Sequence, residues 1–228
     1  MKAMILAAGR GERMRPLTDH TPKPLLKVAG RALIEHTLGQ LVAAGYTDIV
    51  INHAHLGQQI VDYLGDGQRY GASIQYSPEG ELGLETAGGI INALPLLGED
   101  VFLVVNADIA THFPYAQLKD QSIDLAHLVL IDNPVHHPHG DFSLDELGRG
   151  CVYRSEQLTF SGIGLYHPDL FKDIEIGYHK LGGVLREAVE AGRVTGQYFP
   201  GFWMDIGTQE RLQALDVLGW PENKSTLF

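Results

Sequence analysis

The sequence predicts an α/β fold on a mixed, mostly parallel sheet, and three observations carry that prediction. Short apolar runs alternate with helical periods over the first 110 residues, which is the pattern of βαβ units. Several of those runs are continuously apolar, as strands buried on both faces require. After residue 110 strands follow one another quickly, which predicts antiparallel additions to the sheet. At 228 residues, 44% of them apolar and 20% charged, the chain suits one large domain over 1–220, followed by a frayed tail over 221–228.

The elements follow in order. MKAMILAA is a buried strand that ends at Gly9. ALIEHTLGQLVAAG spaces Leu33, Ile34, Thr37, Leu38, Leu41 and Val42 as a helix face, with Gly45 closing it. TDIVIN is the second strand, GQQIVDYL the second helix and ASIQYS the third strand. TAGGIINALPLL reads as a helix interrupted by Pro95, because proline lacks the N–H a helix interior uses. VFLVVN is a further buried strand, ending at Asn106-Ala107-Asp108. Beyond it LAHLVLI, FSL, CVY and LTFSGIGLY read as strands, and KLGGVLREAVEAG and TQERLQALDVLG as helices ended by Gly192 and Gly219.

Charge narrows the function. The formal net charge is -11, so nucleic acid and anionic membrane are poor partners. Yet residues 1–35 hold seven basic side chains against three acidic ones, a local +4. Cys151 is the one cysteine, which excludes an internal disulfide and a cysteine-built metal site. The run from Ala3 to Ala8 is too short for a signal-peptide core or a membrane span, so a soluble cytoplasmic protein is expected.

The basic cluster surrounds a glycine loop, AAGRGERMRPLTDHTPKPLL, placed where a parallel sheet presents ligands, beyond the carboxyl end of a strand. Gly9 and Gly11 free backbone N–H groups for phosphate oxygens, with Arg13 and Lys23 bringing charge; a purely structural turn is the other reading. A Walker loop is excluded because Gly11-Glu12-Arg13 stands where Gly-Lys-Ser/Thr is needed, and a dinucleotide fingerprint because Met14 replaces its third glycine.

Leu6, Ala7, Gly9, Gly11, Arg13, Pro16, Leu17, Thr18, Pro22, Lys23 and Pro24 together closely resemble the signature of the sugar-1-phosphate nucleotidyltransferases. The resemblance extends over the whole chain. It implies a Rossmann-like three-layer nucleotidyltransferase fold, with the nucleotide bound by about 1–110 and the sugar by about 111–220. It implies attack of a sugar-phosphate oxygen on the α-phosphorus of a nucleoside triphosphate, with pyrophosphate leaving. Arg13 and Lys23 are then catalytic: Arg13 on the triphosphate, Lys23 on the α-phosphate and incoming phosphate. Ala8, Gly9, Gly11 and Glu12 complete the nucleotide contacts, Glu12 through its backbone N–H.

A phosphate nucleophile has a second pKa of about 6, so no general base is needed; cations and positioning are. The family's metal aspartates fall on Asp108 and Asp205, matching Mg²⁺, which takes one or two carboxylates beside phosphates and waters. The residues alone leave a turn cap at Asp108 and a helix lead-in at Asp205 open.

The segment SPEGELGLETAGG is implied to read base and ribose, with Glu79, Gly80 and Thr86 as contacts and Asn106 facing ribose or phosphates; a surface loop capped by Thr86 is the plain alternative. It departs from the family pattern at Ala87, where a third glycine is expected, and ELGLET is one residue longer than usual. VINHAHLGQQI, YSPEG, LVLIDNPVHHPHGDFSL and LTFSGIGLYHPDLF resemble the subfamily of N-acetylmuramate α-1-phosphate uridylyltransferases of peptidoglycan recycling. That subfamily uses UTP and a sugar bearing a lactyl carboxylate. Gly140, Glu156, Thr159, Ser161 and Gly162 then fall at sugar-contacting positions, and His136, His137 and His139 are candidate donors to the carboxylate or simply solvated. Competing readings are a mannose- or heptose-1-phosphate guanylyltransferase, a phosphocholine cytidylyltransferase, or a non-catalytic nucleotide-sugar-binding protein. Monomer and homodimer are both open.

Overall fold

The computed structural model describes residues 1–146, 151–154 and 156–221. In chain order the elements are β1 (Ala3–Leu6), β2 (Lys27–Val28), β3 (Arg31–Ala32), α1 (Leu33–Ala43), β4 (Asp48–His53), α2 (Gly57–Leu64), β5 (Ser73–Pro78), α3 (Glu85–Leu97), β6 (Phe102–Asn106) and β7 (Ile109–Thr111). They continue as β8 (Ala126–Ile131), β9 (Ser143–Leu144), β10 (Cys151–Val152), β11 (Thr159–Tyr166), α4 (Leu181–Glu190), β12 (Val194–Tyr198), β13 (Trp203–Asp205) and α5 (Gln209–Leu218). Beyond Pro221 the expected tail lies outside the described residues.

One seven-stranded sheet runs through both halves in the order β12-β8-β11-β6-β1-β4-β5. β1 pairs in parallel with β4 on one side and β6 on the other. Only β11 runs against its neighbours in this sheet; β8 and β12 return to the direction of the first strands. β9 and β10 form a ribbon of their own. Two ribbons not foreseen from sequence also form, β2 with β3 and β7 with β13.

Period-two alternation splits the core into two faces. Ala3 and Ile5 of β1 pack with Ile34, Leu38 and Leu41 of α1 and with Ile60 and Leu64 of α2. Met4, between them, packs on the other face with Ile90 and Ile91 of α3 and Leu185 and Val189 of α4. Three layers result. A third cluster seats Leu215 of α5 on Met14, Val28 and Leu33.

Pro95 does not interrupt α3, which continues to Leu97. The proline stands in the last turn, so the one bond its missing N–H forgoes, to the Ile91 carbonyl, lies near the helix end. β12 escaped the sequence reading because VTGQY has Gly196 at its centre and little apolar alternation. The chain order reverses beside β1: β4 and β5 build outward on one side, then α3 carries the chain back to β6 on the other. That switch point opens a crevice at the carboxyl ends of β1 and β6.

Candidate active site

The loop after β1 is pinned from beneath. Asn52, at the end of β4 and 2% exposed, accepts the Ala7 N–H through Oδ1 at 2.8 Å. Gly11 takes a left-handed conformation at φ 70°, and a Cβ there would meet Thr18 Cγ2 at 2.9 Å and Lys23 Cβ at 3.2 Å. Only glycine serves at this position. Thr18 Oγ1 and the Met14 N–H both bond the Gly11 carbonyl, at 2.9 Å each, and Met14 is buried. The N–H groups of Gly9, Gly11 and Glu12 find no acceptor among the described residues.

The three arginines of the loop have different surroundings. Arg10 bonds the Thr18 carbonyl at 3.0 Å and faces Glu12 and Asp19. Arg15 pairs with Asp19 at 2.7 Å and Glu12 at 3.4 Å. Arg13 makes no ion pair with the described residues and lines the crevice, where its Nη2 closely approaches Gly207. The Glu12 carboxylate is exposed and held by Arg10 and Arg15, so only its backbone is left for a ligand.

Lys23 reaches across the switch point. Its Nζ pairs with Asp108 Oδ2, the lysine side chain being 12% exposed. Asp108 follows β6, and the neighbouring β7 pairs with β13 so that Ile109 faces Asp205. The Ile206 N–H donates to the Asp108 carbonyl at 2.7 Å. Two aspartates almost 100 residues apart are thus joined by one ribbon. Asp205 Oδ1 is held by Arg211 and by His136 Nε2 at 3.0 Å, while its Oδ2 lies toward Gly207 and Arg13. No group of three or more His, Cys, Asp or Glu among the described residues could hold a metal by itself. Asp108 and Asp205 are instead the kind of oxygen donors a hard cation takes when its other ligands come from outside the chain.

A cavity of about 580 Å³ fills the crevice. Its lining includes Ala8, Gly9, Gly11, Glu12, Arg13 and Lys23 from the glycine loop and its sequel, and Glu79, Thr86, Asn106 and Asp108 from elsewhere. Gly80 and Asp205 are not among the lining residues: Gly80 is a turn glycine at φ 74°, and Asp205 sits behind Gly207.

Glu79 is half-buried, and burial pushes its carboxyl above the usual value. Asn52 Nδ2 donates to its Oε1 at 2.5 Å and the Leu84 N–H to its Oε2 at 2.7 Å. Asn52 was absent from the sequence candidates, although its place at the end of the second strand, where a dinucleotide fold carries an acid, was a usable signal. Gly89 makes this contact possible, since a Cβ there would come within 2.3 Å of Glu79 Oε1. Ala87 is accommodated, with its N–H bonded to the His179 carbonyl at 3.0 Å. Close approach is needed one and two residues later, and Gly88 and Gly89 supply it.

A second cavity, about 410 Å³, adjoins the first and shares Leu6, Glu85, Thr86 and Asn106 with it. Of the sugar candidates, Gly162 alone lines it. Thr159 Oγ1 donates to Asn133 Oδ1 at 2.8 Å, and Ser161 Oγ to the Val129 carbonyl at 2.7 Å; both hold the fold. Gly140 packs against Asn133 and Gln157, and Glu156 is exposed, its carbonyl taken by Ser143. For Thr159 and Ser161 the reason is strand period: Phe160 and Gly162 face one side of β11, Thr159 and Ser161 the other. Asp141 and Lys180 line the cavity and were missed. His136 is occupied with Asp205 and Arg211, His137 meets Asp141 at 3.1 Å, and His139 is exposed outside both cavities.

The nucleotidyl transferase family model matches residues 2–144, well over half of the chain. The chain belongs to the nucleotidyl transferase family. An N-acetylmuramate α-1-phosphate uridylyltransferase of Neisseria meningitidis serogroup B is 55% identical over 226 residues, covering 96% of this chain and 98% of the relative. A protein of the same description from Caulobacter vibrioides is 33% identical, over 94% of this chain and 95% of its own. A mannose-1-phosphate guanyltransferase of Hypocrea jecorina is 30% identical over 91% of this chain, but 61% of its own length. The fold matches a glucose-1-phosphate thymidylyltransferase structure from Bacillus anthracis with a TM-score of 0.85, at 24% identity and covering 98% and 96% of the two chains. This nucleotidyltransferase is therefore an enzyme of the three-layer α/β type. Among its described residues no helix is long and apolar enough to cross a membrane.

Proposed function

We propose that this nucleotidyltransferase transfers the uridylyl group of UTP to N-acetyl-α-muramic acid 1-phosphate, with Mg²⁺, giving UDP-N-acetylmuramic acid and pyrophosphate, in peptidoglycan recycling. The observation that carries the reaction is the single crevice where Arg13 and Lys23 lie with Asp108. Full-length likeness to the Neisseria relative supports the choice of base and sugar.

The residues divide the work. N–H groups at Gly9, Gly11 and Glu12 take phosphate oxygens, and Arg13 holds the triphosphate and the departing pyrophosphate. Lys23 brings the α-phosphate and the sugar phosphate together, offsetting the repulsion of two polyanions. The nucleophile is already ionised, so no side chain has to remove a proton. Asp108 and Asp205 would hold Mg²⁺, which when bound screens the phosphate charge. Glu79 and Thr86 meet the base and ribose, and Asn106 stands between the nucleotide and sugar cavities. The nucleotide is held by about 1–110 and the sugar by about 111–220.

The test is pyrophosphate release with Mg²⁺, crossing UTP, GTP, CTP and dTTP with N-acetylmuramate, N-acetylglucosamine and mannose 1-phosphates. Selective release with UTP and N-acetylmuramate 1-phosphate is expected. Preference for GTP with mannose 1-phosphate would overturn the substrate assignment while leaving the reaction in place.

A further inference from the structure

The second cavity carries three charged side chains, Glu85, Asp141 and Lys180, in a wall otherwise rich in apolar groups such as Phe142, Phe160 and Leu185. Two of the three are occupied. Glu85 Oε1 accepts the Tyr178 hydroxyl at 2.7 Å. Asp141 uses one oxygen for His137, at 3.1 Å, and the other for the Phe160 N–H, at 2.8 Å. Lys180 has no ion-pair or hydrogen-bond partner among the described residues. A cation on such a wall is complemented by an anion on the ligand.

Two anionic groups of the proposed acceptor compete for that role, its phosphate and its lactyl carboxylate. The phosphate has to meet the α-phosphorus beside Lys23, and Lys23 and Asp108 line the first cavity but not the second. With the phosphate there, a sugar lying past Asn106, which both cavities share, has the second cavity open to its 3-O substituent. We propose that Lys180 is the residue that recognises the carboxylate of the sugar's lactyl ether, and so selects the muramyl over the glucosaminyl acceptor. The selection works in both directions. Without the lysine, Glu85 and Asp141 repel a carboxylate; with a sugar that lacks one, the lysine gains nothing.

This inference rests on the uridylyl-transfer reading, and one experiment separates the two. The wild-type enzyme and its Lys180→Met, Lys180→Glu and Lys180→Arg variants are assayed with UTP, Mg²⁺ and either N-acetylmuramate or N-acetylglucosamine 1-phosphate. Inhibition constants of the two UDP-sugar products give the same comparison at equilibrium. For Lys180→Met the muramate-to-glucosamine ratio of kcat/KM falls roughly 10- to 100-fold, the worth of one charged hydrogen bond, with the loss in KM. Lys180→Glu falls further and Lys180→Arg keeps most of the preference. A wild-type enzyme that does not prefer the muramyl acceptor overturns the substrate reading and this proposal together. A selective wild-type enzyme whose Lys180→Met variant keeps its ratio, or loses both sugars equally, overturns the role of Lys180 alone.

Discussion

Asn52 ties two walls of the first cavity together, and Asn52→Ala should show it. The side chain is 2% exposed and gives one hydrogen bond to each loop: it accepts from Ala7, where the glycine loop begins, and donates to Glu79, where the base-side segment begins. Losing a neutral bond costs about 1 kcal/mol, and losing one to a carboxylate about 1.5–3 kcal/mol. The sum is about 2.5–4 kcal/mol, which for a chain of this length lowers Tm by roughly 5–16 °C. Glu79 also keeps only the Leu84 N–H, so the base-side wall loosens and KM for UTP rises more than kcat falls. Thermal melting by circular dichroism and pyrophosphate-release kinetics check both. The double variant with Glu79→Ala should be less than additive, because both changes remove the same contact. A Tm within about 2 °C of wild type, with KM for UTP unchanged, refutes the reasoning.

Two further predictions concern charge. Asp108→Asn should reduce turnover by about three orders of magnitude, since it weakens the metal site and frees Lys23, while melting within a few degrees of wild type; near-normal rates with Mg²⁺ would sink the metal assignment. His36, His53 and His127 are all held below the usual 6.5 by burial. A folded value below the unfolded one means the unfolded chain takes up more protons on acidification. The stability these histidines contribute is whole above pH 6.5 and is lost as pH falls through their folded values. Glu79, whose carboxyl is raised, works in the opposite sense, so the readout is a difference: between pH 7 and 5, wild type should lose more Tm than His127→Gln. Equal slopes for the two proteins would contradict it.

The sequence by itself determined the first half of this protein well. Each of its main strands and helices is a local event, because hydrophobic period, glycine ends and turn residues act within one element. The glycine loop was legible for the same reason: Gly11, Thr18 and Lys23, which meet in space, lie within thirteen residues of chain. Where strands are short and packing makes them, the signal faded. β7 and β13 hold three residues each, yet they bring Asp108 and Asp205 together.

The second cavity shows what sequence proximity cannot give. Thr159, Ser161 and Gly162 are neighbours in the chain, but a strand sends alternate side chains to opposite faces, and only the glycine reaches the cavity. The residues that do line it come from β1, the start of α3, β6, β11, the loop ahead of β9 and the start of α4. Likewise the sequence could count three arginines in the glycine loop, but not which would remain uncommitted. Arg10 and Arg15 are taken by acids set opposite them when the loop folds, and Arg13 is left facing the crevice. Tertiary structure decides such matters because pairing depends on which charges the fold brings within about 4 Å, a distance that chain order does not encode.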